Sequence, residues 1–118
     1  YTPTILEAAC NNDIANYKEV FGPVVTISKV KNLDQAIENC NKSPFGLHMA
    51  IFTNDISNAH KAINELECAG VMINDSTDYR IDAMPFGGVK SSGIGREGVK
   101  SAIEAMSETK VVCFKLKI

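Results

Sequence analysis

The sequence predicts an α/β fold, in which an open, mostly parallel βαβαβ sheet has flanking helices and a further strand at the C-terminus. Short runs of β-branched and apolar residues alternate along the chain with segments whose apolar residues recur every three or four positions. Gly, Pro, Asn and Asp separate these segments, as they do where strands alternate with helices.

The first predicted strand and helix follow a Gly-Pro turn. Residues 24–30 (VVTISKV) are rich in β-branched side chains and begin directly after Gly22 and Pro23, which predicts a strand. Asn32 and Gln35 have the spacing of a capping box, so we expect a helix to begin there. The apolar stripe of this helix contains Leu33, Ala36, Ile37 and Cys40.

The next unit repeats this order of elements. Residues 48–53 (HMAIFT) predict a short strand, and Asn54 with Asp55 predicts the N-terminal cap of a second helix. The buried side of that helix is predicted to contain Ile56, Ala59, Ile63 and Leu66. We expect Gly70 to end the helix in the left-handed conformation. Residues 70–74 (GVMIN) are apolar almost throughout and predict a third, parallel strand with both faces covered.

The regular pattern stops between Asp75 and Gly95. Unstructured loops longer than about 12–15 residues are usually functional, and this one leaves the carboxyl end of a strand, where open α/β sheets bind ligands. We therefore expect a site loop. Residues 111–118 (VVCFKLKI) alternate and predict a half-buried edge strand. The helix before that strand is predicted to present one apolar face, formed by Val99, Ala102, Ile103 and Met106.

Composition places the chain among ordinary globular proteins. Of its 118 residues, 45% are hydrophobic and 22% charged, with a net charge of −2, which excludes a disordered chain and gives no electrostatic footprint for nucleic acid or an anionic membrane. No apolar run approaches the ~18 residues of a membrane span. Because the chain begins with Tyr1 and has no export signal, we expect a segment cut from a longer, cytoplasmic protein.

The cysteines and histidines do not predict a metal site or a nucleophile. Cys10, Cys40, Cys68 and Cys113 lie too far apart for a zinc or redox motif, so we expect reduced, mostly buried thiols. The two histidines fall on different predicted elements, without acidic or thiol partners at ligand spacing.

A glycine motif at residues 93–98 (GIGREG) matches G-x-G-x-x-G ahead of the last helix. The dinucleotide fingerprint needs a strand before it and an acidic residue about 20 positions later. Here a loop precedes the motif, and no acidic residue lies in residues 113–118. We therefore predict a tight turn that leads into the helix. Two alternatives stay open: a free-standing nucleotide- or phosphate-binding module at this turn, and a structural module that self-associates through its last strand.

Two segments carry side chains suited to a ligand. Glu19 and Phe21 lie on the same side of an extended segment, where the carboxylate can accept hydrogen bonds from vicinal hydroxyls and the ring can stack on a flat ring. Chemistry alone favours the alternative of a solvated glutamate and a core phenylalanine. In the loop, Arg80 has the fork geometry to clamp an anionic group. Its alternative is a surface ion pair with Asp78 or Asp82.

Five segments in the same order resemble the carboxy-terminal part of the catalytic domain of the aldehyde dehydrogenase superfamily. They are EVFGP at 19–23, NKSPFGL at 41–47, IFT at 51–53, GVMIN at 70–74 and PFGGVKSSGIGREG at 85–98. The similarity extends from Thr4 to Lys110. Within the superfamily, DYRIDAMP at 78–85 is similar to lactaldehyde and phosphonoacetaldehyde dehydrogenases.

The resemblance implies roles for individual residues. Glu19 would hold the hydroxyls of the nicotinamide ribose and Phe21 would lie against the nicotinamide, which reverses the preference for a solvated glutamate and a core phenylalanine. Tyr79 and Arg80 would line the substrate entrance. Phe86 matches an aromatic residue near the reacting carbon.

The resemblance also implies what the chain lacks. The family's nucleophilic cysteine, general-base glutamate, oxyanion asparagine and dinucleotide-binding domain all lie upstream, so we expect no catalytic residue here. The parent would be an oxidoreductase dependent on NAD or NADP that oxidises a small, anionic or hydroxylated aldehyde through a thioester. We expect residues 1–118 to form a single partial domain that is inactive alone. Residues 111–118 would belong to the oligomerisation arm of a homo-oligomer.

Overall fold

The computed structural model describes residues 1–7 and 18–117, and Cys10 therefore lies outside the described residues. Within them the chain forms short strands and helices, with two strands before each helix. The strands are β1 (Thr4–Glu7), β2 (Val24–Ile27), β3 (Phe45–Gly46), β4 (His48–Ile51), β5 (Gly70–Ile73) and β6 (Val89–Lys90). The helices are α1 (Leu33–Asn41), α2 (Ile56–Glu65) and α3 (Val99–Ala105).

The strands pair in three small sheets of two strands each. β1 and β2 are parallel, β4 and β5 are parallel, and β3 is antiparallel to β6. The α/β class is thus confirmed, but the predicted continuous βαβαβ sheet is not. β2 pairs with β1, a strand that the sequence pattern does not predict, so among the described strands it is not joined to β4 or β5.

The two predicted helix starts are confirmed. The side chain of Asn32 accepts a hydrogen bond from the Gln35 backbone N–H at 3.0 Å, and the Gln35 side chain in turn accepts one from the Lys31 N–H at 2.8 Å. Asp55 caps α2 by accepting from the Ser57 N–H at 2.8 Å. Each cap satisfies a backbone donor that the first helical turn leaves unpaired, which fixes where the helix begins.

The buried core lies between α1, α2 and β5. Among the described residues, its buried hydrophobic side chains are Ile37, Ala59, Ala62 and Met72. The predicted buried side of α2 is thus only partly correct, since Ile56 and Ile63 are exposed. Ala62 is fully buried because the helix packs through its small side chains. The core is small for a chain of this length.

The last part of the chain exposes its apolar side chains. No residue of α3 is buried, and residues 107–117 form no strand with any part of the chain that the structure describes. The predicted strand over residues 111–118 is therefore not confirmed, since a strand needs a partner and the described chain offers none. Large exposed apolar surfaces mark contacts with further protein. The longest described helix has ten residues, so none of the described helices could cross a membrane.

Candidate functional site

Asn74 determines where the loop after β5 begins. Asn74 has φ +57°, in the left-handed region that asparagine tolerates better than most residues. Its side chain accepts a hydrogen bond from the Thr53 N–H at 2.7 Å and donates one to the Thr53 carbonyl at 2.9 Å. This reciprocal pair joins the chain just beyond the carboxyl ends of β4 and β5, so it determines where the loop starts.

His48 holds the loop at a second point. Its Nδ1 lies 3.0 Å from the Thr77 carbonyl oxygen, a contact that requires the proton on Nδ1. The imidazole also packs edge-on against Phe86, with ring centroids 5.1 Å apart and planes at 85°. A Cβ at Gly70 would stand 2.6 Å from His48 Cδ2. The prediction that Gly70 ends α2 in a left-handed conformation is therefore wrong: this glycine begins β5 and leaves room for the imidazole.

Arg80, Phe86 and Glu97 form a closed set of contacts that we call the Arg80 cluster. The guanidinium carbon of Arg80 lies 4.1 Å from the centroid of the Phe86 ring, and Nη2 donates to Glu97 Oε2 at 3.1 Å. Phe86 and Glu97 are joined through their backbones in both directions, at 3.1 and 2.6 Å. The alternative predicted for Arg80, an ion pair with Asp78 or Asp82, is wrong about the partner, because the guanidinium pairs with Glu97.

Glu97 is the residue of this cluster that the sequence does not reveal. It lies within the glycine motif, whose spacing draws attention to its glycines, and it is far from Arg80 in the chain. The Glu97 carboxylate contacts Arg80 because the backbone bridge brings residue 97 beside Phe86. No short-range sequence signal indicates this contact.

Tyr79 lies at the surface of the same loop. Its backbone N–H donates to the Ser76 carbonyl at 3.4 Å, and Asp78 accepts a hydrogen bond from the Ser76 hydroxyl. About half of the Tyr79 side chain is exposed, and within the described residues its ring has no aromatic partner. The loop therefore brings Arg80 and Phe86 together and leaves the Tyr79 ring open to contacts.

Glu19 and Phe21 are both exposed just before β2. Phe21 is 94% exposed, so the alternative in which it is a core residue is wrong. The turn that follows is closed by a hydrogen bond from the Gly22 N–H to the Val20 carbonyl at 2.8 Å. Among the described residues, no hydrogen bond, ion pair or ring contact occupies the Glu19 carboxylate or the Phe21 ring, and none connects them to the Arg80 cluster.

The glycine motif forms a turn, as predicted. Gly95 and Gly98 have φ of +75° and +111°, a region that favours glycine. The turn borders a cleft of about 410 Å³. Arg96 does not present its charge to this cleft as a free anion-binding group, because Nη1 donates to the Gly88 and Gly95 carbonyls at 3.0 and 2.7 Å.

Lys90 fixes the segment that carries Phe86. Its φ of +55° is uncommon for a residue with a side chain. The ammonium group donates to the carbonyls of Asn41 and Ser43 at 2.7 and 3.3 Å and lies 2.8 Å from Glu67 Oε2. These contacts connect β6 to the end of α1 and to the segment after α2.

Cys40 and Cys68 do not have the features of an activated nucleophile. Desolvation raises the pKa of the Cys40 and Cys68 thiols, whereas a nucleophilic cysteine needs a lowered pKa. Cys113 is exposed, so the expectation of mostly buried thiols is wrong there. Cys40 is exposed as a residue, although its thiol is partly desolvated. Within the described residues, no group of three or more His, Cys, Asp or Glu side chains is arranged to hold a metal ion.

Comparison with known proteins identifies the family. Residues 1–112 match the model described as the aldehyde dehydrogenase family. A lactaldehyde dehydrogenase of Methanococcus aeolicus is 48% identical over 98% of this chain and 24% of its own length. A 3-sulfolactaldehyde dehydrogenase of Priestia aryabhattai is 44% identical over the same shares. The chain thus spans about a quarter of the length of these relatives.

Solved structures give the same result. Glyceraldehyde-3-phosphate dehydrogenase GapN of Methanocaldococcus jannaschii, complexed with NADP, superposes with a TM-score of 0.84 and 50% identity over 92% of this chain and 23% of its own. Betaine aldehyde dehydrogenase of Staphylococcus aureus, in complex with NAD+, gives a TM-score of 0.69 and 41% identity over 75% and 18%.

Proposed function

The chain belongs to the aldehyde dehydrogenase family, and from that premise we propose that it is the carboxy-terminal segment of an NAD- or NADP-dependent dehydrogenase that oxidises a small aldehyde to the carboxylic acid. The observation that carries this proposal is the match of residues 1–112 to the family. In this proposal residues 1–118 form one partial domain that supplies cofactor and substrate contacts. The nucleophile belongs to another part of the polypeptide, so the segment alone is inactive. The compartment that we propose is the cytoplasm, where free thiols such as those described here persist.

Glu19 and Phe21 are the residues that would hold the cofactor. Their chemistry fits the nicotinamide nucleoside, because an exposed carboxylate accepts hydrogen bonds from two vicinal hydroxyls and an exposed ring packs on a flat heterocycle. Within the described residues, neither side chain forms an ion pair or a ring contact. When bound, NAD or NADP supplies the hydride acceptor. Glu19 then orients the ribose, and Phe21 limits the movement of the ring.

Tyr79, Arg80 and Phe86 would form the wall of the substrate entrance. The Arg80 side chain is 44% exposed, and its guanidinium has five N–H donors. Because one of these donors bonds to Glu97, others remain for an anionic or hydroxylated group of the aldehyde. The relatives are named for lactaldehyde, 3-sulfolactaldehyde and glyceraldehyde-3-phosphate, which carry hydroxyl, sulfonate or phosphate groups. These names support a small anionic or hydroxylated substrate.

The cofactor role is tested by Glu19→Gln in the complete dehydrogenase polypeptide, with Glu108→Gln as the matched control on an exposed glutamate. Loss of a charge-assisted hydrogen bond costs about 1.5–3 kcal/mol, so we expect the KM for NAD or NADP to rise about tenfold or more while the KM for the aldehyde stays constant. An unchanged cofactor KM, or an equal rise in the Glu108 variant, would contradict the role.

The second candidate function is self-association of the chain. The exposed apolar side chains of α3 and of residues 111–117 favour it. Val99 and Ile103 on the helix and Phe114 in the last segment are all more than half exposed. In the complete enzyme this surface supports a homo-oligomer. Sedimentation of the 118-residue chain tests this, because a monomer at high concentration would argue against it. The phosphate-binding alternative has less support, because Arg96 is directed to backbone carbonyls.

A further inference from the structure

We propose that Glu97 determines how strongly the substrate entrance accepts anionic groups, because its carboxylate both positions and partly neutralises the Arg80 guanidinium. The inference rests on the proposed function in one respect: it takes Arg80 to line the entrance. Glu97 itself would touch neither cofactor nor aldehyde and would act through Arg80.

The position of Glu97 is fixed by the backbone. Its N–H donates to the Phe86 carbonyl at 2.6 Å and its own carbonyl accepts from the Phe86 N–H at 3.1 Å. The side chain therefore leaves the backbone next to the ring over which Arg80 lies. Both groups of the ion pair are directed by the same residue, since Phe86 also contacts the guanidinium face at 4.1 Å.

The charge of Glu97 is the main local influence on Arg80. Within the described residues, Glu97 at 3.1 Å is the ion-pair partner found for the guanidinium. An anionic group that reached the remaining donors would come within a few ångströms of the carboxylate as well. At about 5–6 Å and the high dielectric of an exposed site, that repulsion reduces affinity roughly three- to tenfold. Neutral ligands would not be affected by it.

The variant Glu97→Gln separates charge from position. Glutamine has the same length, retains an oxygen that can accept from Nη2, and leaves the Phe86 backbone bridge intact. The Glu97 side chain is 69% exposed, so its replacement does not disturb the core. A matched control is Glu104→Gln on α3, which removes one exposed negative charge that is not paired with Arg80 in the described structure.

The experiment is an NMR titration of the 118-residue chain, in which the Phe86 backbone N–H signal, present in every variant and next to Arg80, reports binding of methanesulfonate. Dimethyl sulfone is the neutral probe of similar shape. We expect Glu97→Gln to bind methanesulfonate three- to tenfold more tightly than the unchanged chain, Glu104→Gln to match the unchanged chain, and Arg80→Gln to lose the binding. Dimethyl sulfone should bind to all variants with equal affinity. The Met72 amide signal of β5 verifies that each variant retains the fold.

The proposal is overturned if Glu97→Gln binds methanesulfonate no better than the unchanged chain, if Glu104→Gln gains as much, or if no variant binds it. These outcomes are independent of turnover. A complete polypeptide that fails to oxidise aldehydes while Glu97→Gln still tightens sulfonate binding would remove the proposed function and leave the Glu97 effect. A complete polypeptide that oxidises aldehydes, in which Glu97→Gln does not tighten sulfonate binding, would leave the proposed function and remove the Glu97 effect.

Discussion

The Arg80 guanidinium lies over the Phe86 ring at 4.1 Å, so the loop after β5 is held against the segment that leads into the glycine turn. His48 packs on the same ring, and Glu97 connects to both Phe86 and Arg80. The position of Phe86 is thus fixed by three neighbours from different parts of the chain. Under the proposed function, an aromatic ring held this way would form a rigid wall beside which a small substrate is oriented.

Replacing Arg80 with glutamine should weaken this arrangement. A partly exposed cation–π contact contributes about 0.5–1 kcal/mol, so we expect Arg80→Gln to lower the free energy of unfolding by that amount and Arg80→Lys to lower it less. Urea denaturation measures the change. Lys100→Gln, on an exposed face of α3, is the control and should change the stability by less than about 0.5 kcal/mol. Equal effects of the Arg80 and Lys100 variants would argue against the contact.

Asn74 should be the most sensitive position in the loop. Asn74→Ala loses two hydrogen bonds to Thr53 and places a side chain without local bonding at φ +57°, which together cost about 2–4 kcal/mol. Asn74→Asp retains the acceptor and should cost less. Thermal unfolding tests the order, with Asn54→Ala on the exposed turn as the control. If the Asn74→Ala and Asn54→Ala variants had the same melting temperature, the two hydrogen bonds between Asn74 and Thr53 would have no stabilising role.

Lys90 should contribute more to stability than the exposed Lys100. Its side chain is only 23% exposed and contacts two carbonyls and Glu67, so we expect Lys90→Met to lower the free energy of unfolding by about 1–2 kcal/mol. Lys100→Met should cost below about 0.5 kcal/mol, because its pair with Glu104 is exposed and long. Denaturant titration of both variants measures the difference, and a difference near zero would refute this role.

The thiols should differ in reactivity. Desolvation is the largest cause that raises the pKa of Cys68, so its thiol stays protonated at a pH where an unfolded thiol already ionises. Stability linked to this group is therefore fully present below the ordinary thiol pKa and is lost as the pH rises through the raised value. Mass-spectrometric mapping with iodoacetamide at mildly alkaline pH should label exposed Cys113 before Cys68. Faster labelling of Cys68 would contradict the desolvation.

Features determined by neighbouring residues were predictable from the sequence. Asn32 and Asp55 bond within their own first helical turns, so spacing alone located both helix starts. Sheet order was not predictable, because β2 pairs with residues 4–7, a contact between distant parts of the sequence that no local pattern indicates. Gly70 was misassigned for the same reason: the need for glycine comes from His48 on the neighbouring strand.

The candidate site shows the same division. Arg80 was proposed as a site residue from its chemistry and Phe86 from the family resemblance. The contact of Glu97 with Arg80 is apparent only when the backbone bridge to Phe86 is known. The exposure of Phe21 was also not predictable from the hydrophobic pattern, because an aromatic residue next to a strand is usually buried.

The most direct test of the central claim is a hydride-transfer assay of the purified 118-residue chain. Lactaldehyde and glyceraldehyde-3-phosphate are incubated with NAD+ or NADP+, and absorbance of the reduced nicotinamide is followed. A segment that carries binding contacts and no nucleophile should give a rate equal to the protein-free blank. A rate above the blank that saturates with aldehyde would show that the chain contains its own catalytic groups and would contradict the account.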